Sequence, residues 1–287
     1  MLENHIMNIE TVIDYIESHL DEKLDLETVS EAVHYSKYYL HRMFTNAVGM
    51  TIHDYVQRRQ LTEAAKLLIF STKPIIEVAF LCGYESQQAF SSAFKSMYKV
   101  PPAQYRDAGT FYPLQLRFVL HKNIPSKVFT KEDVCIAEKG DLPDWMDLMR
   151  LVIDGYPVMD ETDYLHEITK AIEEKRALIL KKGNILIGAM AFSRKTGSID
   201  FLGIHPQYRN QKIQNLFLEV LVETYLPGQE ISMTTYREGD KADTGHRDLL
   251  KNLGFAEREL LIEFGYPTQR FVLLPSEKED VESWQEK

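Results

Sequence analysis

The chain has 287 residues, of which 44% are hydrophobic and 26% charged, and its formal net charge is −10. This composition supports a folded core and excludes a disordered chain, apart from the polar segment after Pro275. The sequence contains no run of about 18 apolar residues and no signal-peptide pattern at its start, so we expect neither a membrane span nor secretion. At roughly 100–200 residues per domain, the length indicates two domains.

The two cysteines, Cys82 and Cys135, lie far apart in segments that resemble core. This usage fits a reducing compartment and disfavours a zinc site, so we expect two buried packing residues in a cytoplasmic protein. The histidines have no metal-binding spacing, and no metal site is predicted.

Charge is distributed unevenly along the first third of the chain. Residues 1–33 contain one Lys and nine Asp or Glu, whereas residues 34–107 contain nine Lys or Arg and five Asp or Glu. Lys and Arg neutralise phosphates in nucleic-acid complexes. The distribution therefore predicts a basic DNA-facing segment that follows an acidic, solvent-exposed first helix.

The first elements form a recognisable order. Apolar residues recur with a helical period over Met7–Leu20, and a short helix is predicted over Glu27–Val33. After a tight turn, Ser36 is a suitable N-cap for a third helix, and Gly49 is suited to its left-handed end. A helix, a tight turn and a capped helix are typical of a helix-turn-helix.

The same pattern recurs further along the chain. A short helix is predicted over Ile75–Leu81, Gly83 lies in the turn, Ser86 is the next cap, and Phe90 and Phe94 form the inward stripe. An internal repeat is stronger evidence than one occurrence. We therefore predict a second helix-turn-helix.

A single long helix is predicted between the repeats, over Ile52–Phe70. Its length, about 28 Å at 1.5 Å per residue, approaches the ~34 Å of one DNA turn. Two recognition helices at this separation can enter successive major grooves on one face of a duplex. The alternative is a helical bundle without a DNA role, because an amphipathic stripe alone is usually only core.

These segments resemble the AraC/XylS family of transcription regulators. The similarity covers about 100 residues and rests on Tyr35–Phe44, Gly83–Phe90 and the closing Pro102, Tyr105 and Arg106. It is closest to the multidrug and superoxide-response regulators of that family, which bind asymmetric promoter sites as monomers. The resemblance implies a sequence-specific regulator with promoter DNA and RNA polymerase as partners.

The resemblance also implies which residues contact DNA. Side chains of the two recognition helices are implied to contact bases. Lys37 in the first helix and Lys95 in the second are implied to lie near phosphates. The implied residues are Lys37, Tyr38, His41 and Arg42 in the first helix, and Gln87, Gln88, Ser91, Ser92 and Lys95 in the second. Ser92 replaces a usual Arg, which predicts a different preference in the second half-site. His34 and Lys99 replace usual glycines, which predicts strained backbone at both.

The rest of the chain predicts an α/β domain. We divide the chain into a double helix-turn-helix domain (1–107), a lead-in (108–129) in which 114–120 is a candidate strand, an α/β domain (130–275) and a polar tail (276–287). The elements predicted in the α/β domain are strand Val134–Ala137, helices Pro143–Ile153 and Asp163–Lys175, strands Ala177–Lys181, Ile185–Phe192 and Ile199–His205, helix Gln211–Tyr225, strand Glu230–Thr235, helix Gly245–Leu253, and strands Glu257–Phe264 and Gln269–Leu274. This order predicts a mixed, largely antiparallel sheet with helices on both faces.

The α/β domain resembles the GNAT acetyltransferase superfamily, through Gly203–Gln214 and Leu250–Phe255. In that superfamily, backbone N–H groups and a helix N-terminus after the fourth strand bind the pyrophosphate of acetyl-CoA. The residues that the resemblance implies for acetyl-CoA or CoA are Ile204, Arg209, Asn210, Gln211, Lys212, Ile213 and Gln214. Lys212 and Gln214 occupy positions that usually hold small residues, which narrows the predicted cradle.

No catalytic constellation is evident in the sequence. Leu250 stands where the superfamily often has a tyrosine acid. Asp200, Glu219, Tyr236 and His246 are candidate proton shuttles, but each is typical of surface or capping positions. Three roles remain open for this domain: a small-molecule sensor or regulatory module, an acetyl-CoA-dependent N-acetyltransferase, or an interaction surface. The chain is expected to be a monomer or a homodimer.

Overall fold

The computed structural model describes residues 2–121, 128–152, 160–263 and 265–275. The first part of the chain consists of helices. They are α1 (Leu2–Ser18), α2 (Leu26–Ala32), α3 (Lys37–Val48), α4 (Ile52–Phe70), α5 (Ile75–Leu81), α6 (Gln87–Tyr98) and α7 (Pro102–Ala108). Within the described ranges, no helix is both long enough and apolar enough to cross a membrane.

A serine side chain caps the second helix of each repeat. The Ser36 hydroxyl accepts a hydrogen bond from the Tyr39 N–H at the start of α3, and the Ser86 hydroxyl accepts one from the Ala89 N–H at the start of α6. These bonds satisfy N–H groups that have no partner within the helix. Gly49 ends α3 in the left-handed conformation, with φ 72°, which is the role predicted for this glycine.

Each helix-turn-helix has its own apolar core. We call α2–α3 the first head and α5–α6 the second head. Phe44 of the first head packs with residues of α1 and with the beginning of α4, whereas Phe90 and Phe94 of the second head pack around the end of α4. The long helix α4 therefore joins two separately packed heads.

The acidic first helix is not wholly solvent-exposed, so that part of the prediction is wrong. The Glu17 carboxylate accepts two hydrogen bonds from Arg59, both at 2.8 Å, and one from the Tyr55 hydroxyl at 2.7 Å. The side chains of Glu17 and Arg59 are only 12% and 8% exposed. Glu17 thus holds α1 on α4.

The α/β domain follows a lead-in that contains no strand. Residues 114–120 make no strand pairing, contrary to the prediction, although Leu114, Phe118 and Leu120 are buried against the two heads. The elements are β1 (Val134–Ile136), α8 (Leu142–Val152), α9 (Glu161–Glu173), β2 (Ala177–Lys182), β3 (Ile185–Phe192), β4 (Ile199–Ile204), α10 (Ile213–Val220), β5 (Ile231–Tyr236), α11 (His246–Asn252), β6 (Ala256–Glu263) and β7 (Tyr266–Leu273).

The strands form two antiparallel sheets that touch at one point. One has the order β1-β2-β3-β4 and the other β5-β7-β6. They meet where Ser198, just before β4, forms a parallel bridge with Ser232 of β5. Successive β2 residues face opposite layers: Leu178 packs with α10, whereas Ile179 packs with α8 and α9. The predicted fold class, with helices on both faces, is confirmed.

Two further predictions need correction, and a third concerns residues outside the ranges that the structure describes. The helix predicted over Gln211–Tyr225 is divided into a 3-10 helix (Pro206–Gln211), α10 and a π turn (Leu221–Tyr225). Cys135 is exposed because it alternates outward on edge strand β1, while Cys82 is buried as predicted. Ile153, Phe264 and the tail 276–287 lie outside the described residues.

Candidate nucleic-acid interface

The outward face of α3 presents the side chains predicted for the first head. Lys37, Tyr38, His41 and Arg42 are exposed, and the Tyr38 side chain is 76% exposed. The Arg42 guanidinium lies 5.6 Å from the Tyr38 ring centroid, a cation–π distance. The ring and the guanidinium are therefore both accessible to a binding partner.

An open depression follows this face. It is lined by Leu26, Lys37, Tyr38, His41, Arg42, Thr45 and Asn46. Lys37 also donates to Glu27 of α2 at 2.5 Å, and this hydrogen bond raises the pKa of the lysine. The lysine thus crosses from α3 to α2 and remains charged at neutral pH.

The second head presents a more neutral face. Gln87, Gln88, Ser92 and Lys95 of α6 are exposed, whereas Ser91 is half-buried. The amides can read base edges through paired donors and acceptors. Ser91 lies at the border of this face and has less freedom to reach a base than its neighbours.

Less of the predicted basic charge is available to DNA than the sequence count suggests. Arg58 and Arg59 are buried, and the Lys99 side chain is only 15% exposed. Burial by itself lowers the pKa of Arg59, but its hydrogen bonds to Glu17 more than offset this and raise that pKa. These cations hold the fold together instead of facing phosphates.

The helical part of the chain is similar in sequence to known DNA-binding regulators. The helix-turn-helix domain family matches residues 29–108. The multiple antibiotic resistance protein MarA of Escherichia coli is 41% identical over 100 residues, which are 35% of this chain and 79% of MarA. The chain belongs to the AraC/XylS family. YbfP, an HTH-type transcriptional regulator of Bacillus subtilis, is 39% identical over 98 residues, 34% of this chain, and the chain spans 33% of YbfP's length.

The α/β domain is similar to a solved structure. A GNAT-family acetyltransferase of Bacillus cereus is 17% identical, covers 50% of this chain with 96% of its own, and has a TM-score of 0.39.

The loop implied for acetyl-CoA does not fit that group well. Lys212 has φ 55°, so it keeps the left-handed backbone suited to glycine while adding a long side chain. Gln214 is buried and fills a position that a small residue would leave open.

The structure separates the other residues implied for CoA. Ile204 and Ile213 are buried, while Asn210 and Gln211 are exposed. A Cβ on Gly49 would stand 2.7 Å from the Cδ of Arg209, so the arginine stem lies against the end of α3. This side of the loop therefore contacts the first head.

The candidate proton shuttles are not brought into one site. Glu219 is exposed on α10, and Asp200, whose pKa burial raises, accepts from Ser198 at 2.7 Å. Tyr236 packs with the second head, and its ring lies 6.0 Å from that of His246. In the part of the chain that is described, no group of three His, Cys, Asp or Glu is arranged to hold a metal ion.

Contacts between the heads and the α/β domain were not predicted. Lys99, at the end of α6, donates to Asp240 at 2.6 Å. Arg58 of α4 donates to the Ala242 carbonyl at 2.5 Å. The members of the two pairs are 141 and 184 positions apart in sequence. The one local signal was Lys99 at a position that usually holds glycine, and it did not indicate the partner.

Proposed function

We propose that this chain is a sequence-specific DNA-binding transcription regulator whose two heads read one duplex. The observation that carries the proposal is that two capped helices, α3 and α6, present exposed polar side chains at matching positions. Arg42 and Tyr38 read bases in the first half-site, and Gln87 and Gln88 in the second. The target is double-stranded promoter DNA, and one chain occupies both half-sites.

Selection from a random duplex library tests this proposal. The full chain is expected to enrich two short motifs at a fixed spacing near one helical turn. Arg42→Ala should weaken binding to the enriched duplex by ~1–3 kcal/mol and relax preference at one base pair of the first motif. Lys195→Ala, at an exposed hairpin position, is the control. A library that yields no motif would contradict the proposal.

We further propose that the α/β domain acts as a regulatory module that responds to a small molecule. Its docking against both heads supports this role, because a ligand that favours one docked arrangement would change DNA affinity. RNA polymerase is the expected protein partner, and the cytoplasm the expected location.

Asp240→Asn tests the regulatory coupling. The variant loses an ion pair on the second head without altering any proposed base contact. We expect weaker binding to the selected duplex because the second head is held less firmly. Unchanged affinity of the variant, together with no effect of any molecule in a small-molecule panel on the DNA affinity of the unaltered protein, would contradict the regulatory role and leave the DNA-binding proposal standing.

A further inference from the structure

The loop Pro206–Lys212, which we call the docking loop, lies at the C-terminal end of α3. The Asn210 side chain donates a 2.7 Å hydrogen bond to the Asn46 carbonyl. The Arg209 stem lies against Gly49, where an added Cβ would stand 2.7 Å from the Arg209 Cδ. Two separate contacts thus hold the loop in one position beside the first head.

This position borders the predicted reading face. The depression along α3 extends to Asn46, the residue that Asn210 contacts. Beyond it, Asn210, Gln211 and Lys212 are all exposed. A helix in the major groove, which is about 12 Å wide, has a sugar–phosphate backbone on each side. Groups fixed beside such a helix therefore stand near phosphates.

The loop also has the right charge for phosphate. It contains Arg209 and Lys212, and the sequence has no acidic residue between Asp200 and Glu219. Because Arg58 and Arg59 are buried, the helical part alone offers fewer cations than its sequence suggests. The docking loop therefore adds positive charge at the edge of the α3 reading face, where DNA phosphates must be neutralised.

We propose that the docking loop is an additional DNA-backbone contact, with the Lys212 ammonium and the Gln211 side-chain amide binding phosphates that flank the first half-site, while Asn210 holds the loop on α3. This inference rests on the proposed DNA-binding function. Such contacts position a protein on DNA and do not read sequence. A surface that resembles a cofactor-phosphate loop thereby binds the phosphates of a nucleic acid.

The test compares Lys212→Gln with Lys195→Gln, which alters another exposed lysine, in the β3–β4 hairpin. Binding of each full-length protein to the selected duplex and to a mixed-sequence duplex is measured over a salt series. Lys212→Gln should weaken both complexes equally, about three- to ten-fold at low salt, and reduce the slope of log K against log salt by ~0.9. Lys195→Gln should leave both unchanged.

Lys212→Gly serves as a second variant, because glycine removes the charge and relieves the left-handed backbone. An unchanged salt slope in both variants, with the selected duplex still preferred, would overturn the phosphate contact and leave the proposed function intact. Tighter binding in both would overturn it as well, because the loop would then obstruct the groove. If the unaltered protein prefers no duplex, both proposals fail.

Discussion

Lys99 ends α6 in the left-handed region, at φ 65°, where glycine would be less strained. The sequence identified this position as unusual, and the strain is confirmed. Its physical reason is a distant contact: the Lys99 ammonium pairs with Asp240, whose side chain is 8% exposed, and also donates to the Ser96 carbonyl. His34 has φ 57° as well, but nothing in the structure explains it.

Glycine substitution should therefore have opposite effects at these two positions. His34→Gly removes strain and should raise the free energy of unfolding by ~0.5–1 kcal/mol. Lys99→Gly also removes strain but leaves Asp240 buried without its cation, so we expect a net loss of ~1–3 kcal/mol. Urea denaturation of the full chain measures both. Equal stabilisation by the two substitutions would show that the ion pair contributes little.

Arg59 is a second residue whose role depends on a distant partner. Arg59→Met leaves the Glu17 carboxylate in a site where it is only 12% exposed, which should cost ~3–5 kcal/mol. Glu63→Gln removes a more exposed partner of the same arginine, 37% exposed, and should cost less than ~1 kcal/mol. Urea denaturation of the two variants measures both losses. A smaller loss for Arg59→Met than for Glu63→Gln would show that the buried Arg59–Glu17 pair does not stabilise the fold.

At the scale of elements, the helices of the two heads were predictable because their signals are local. The bounds of α4 and α5 agree with the prediction, and the caps at Ser36 and Ser86 form as their sequence positions indicate. The division of the region 206–225 into three helical segments was not predictable, because an apolar helical period does not distinguish an α-helix from a 3-10 or π turn. The candidate strand at 114–120 within the lead-in does not form, because its apolar residues pack on the helices of the two heads and not on a sheet edge.

A histidine pair between the lead-in and the residue just before the docking loop predicts a pH dependence. The ring centroids of His121 and His205 are 4.9 Å apart, and Gln207 bonds to both backbone groups of His121. Burial, together with the neighbouring His121 and Arg209, lowers the pKa of His205 to about 3. Burial also lowers the pKa of His121.

Both histidines are therefore neutral in the folded chain at pH values where the unfolded chain binds protons. The free energy of unfolding should fall as pH drops below the unfolded pKa of about 6.5, by up to about 1.4 kcal/mol per unit for His205, and should continue to fall towards pH 3. Denaturation curves between pH 7 and pH 4.5 measure this slope. His205→Gln should flatten it, and an equal slope in the variant would contradict the assignment.

At the scale of the whole molecule, both heads are attached to the α/β domain. The first is held by Asn210 and Arg209, and the second by Asp240 through Lys99, while α4 between them is held at Arg58. Sequence patterns predicted each part separately. They did not predict the contacts between parts, because such contacts depend on pairs of residues that no local period relates.

These contacts predict that the heads and the α/β domain unfold together. The intact chain should give one calorimetric transition, and Arg58→Met, which removes the bond to the Ala242 carbonyl, should lower the midpoint temperature of that transition. Lys195→Met, at an exposed lysine of the β3–β4 hairpin, is the control and should leave the midpoint temperature unchanged. Two transitions in the unaltered chain would contradict this coupling.

The central claim is that α4 and the docked α/β domain hold two reading helices at one fixed spacing. The most direct measurement is the affinity of the full chain for its selected duplex with about five base pairs inserted between the two motifs, which rotates them by about half a turn. We expect the affinity to fall to that of a single half-site. Unchanged affinity after the insertion would contradict it.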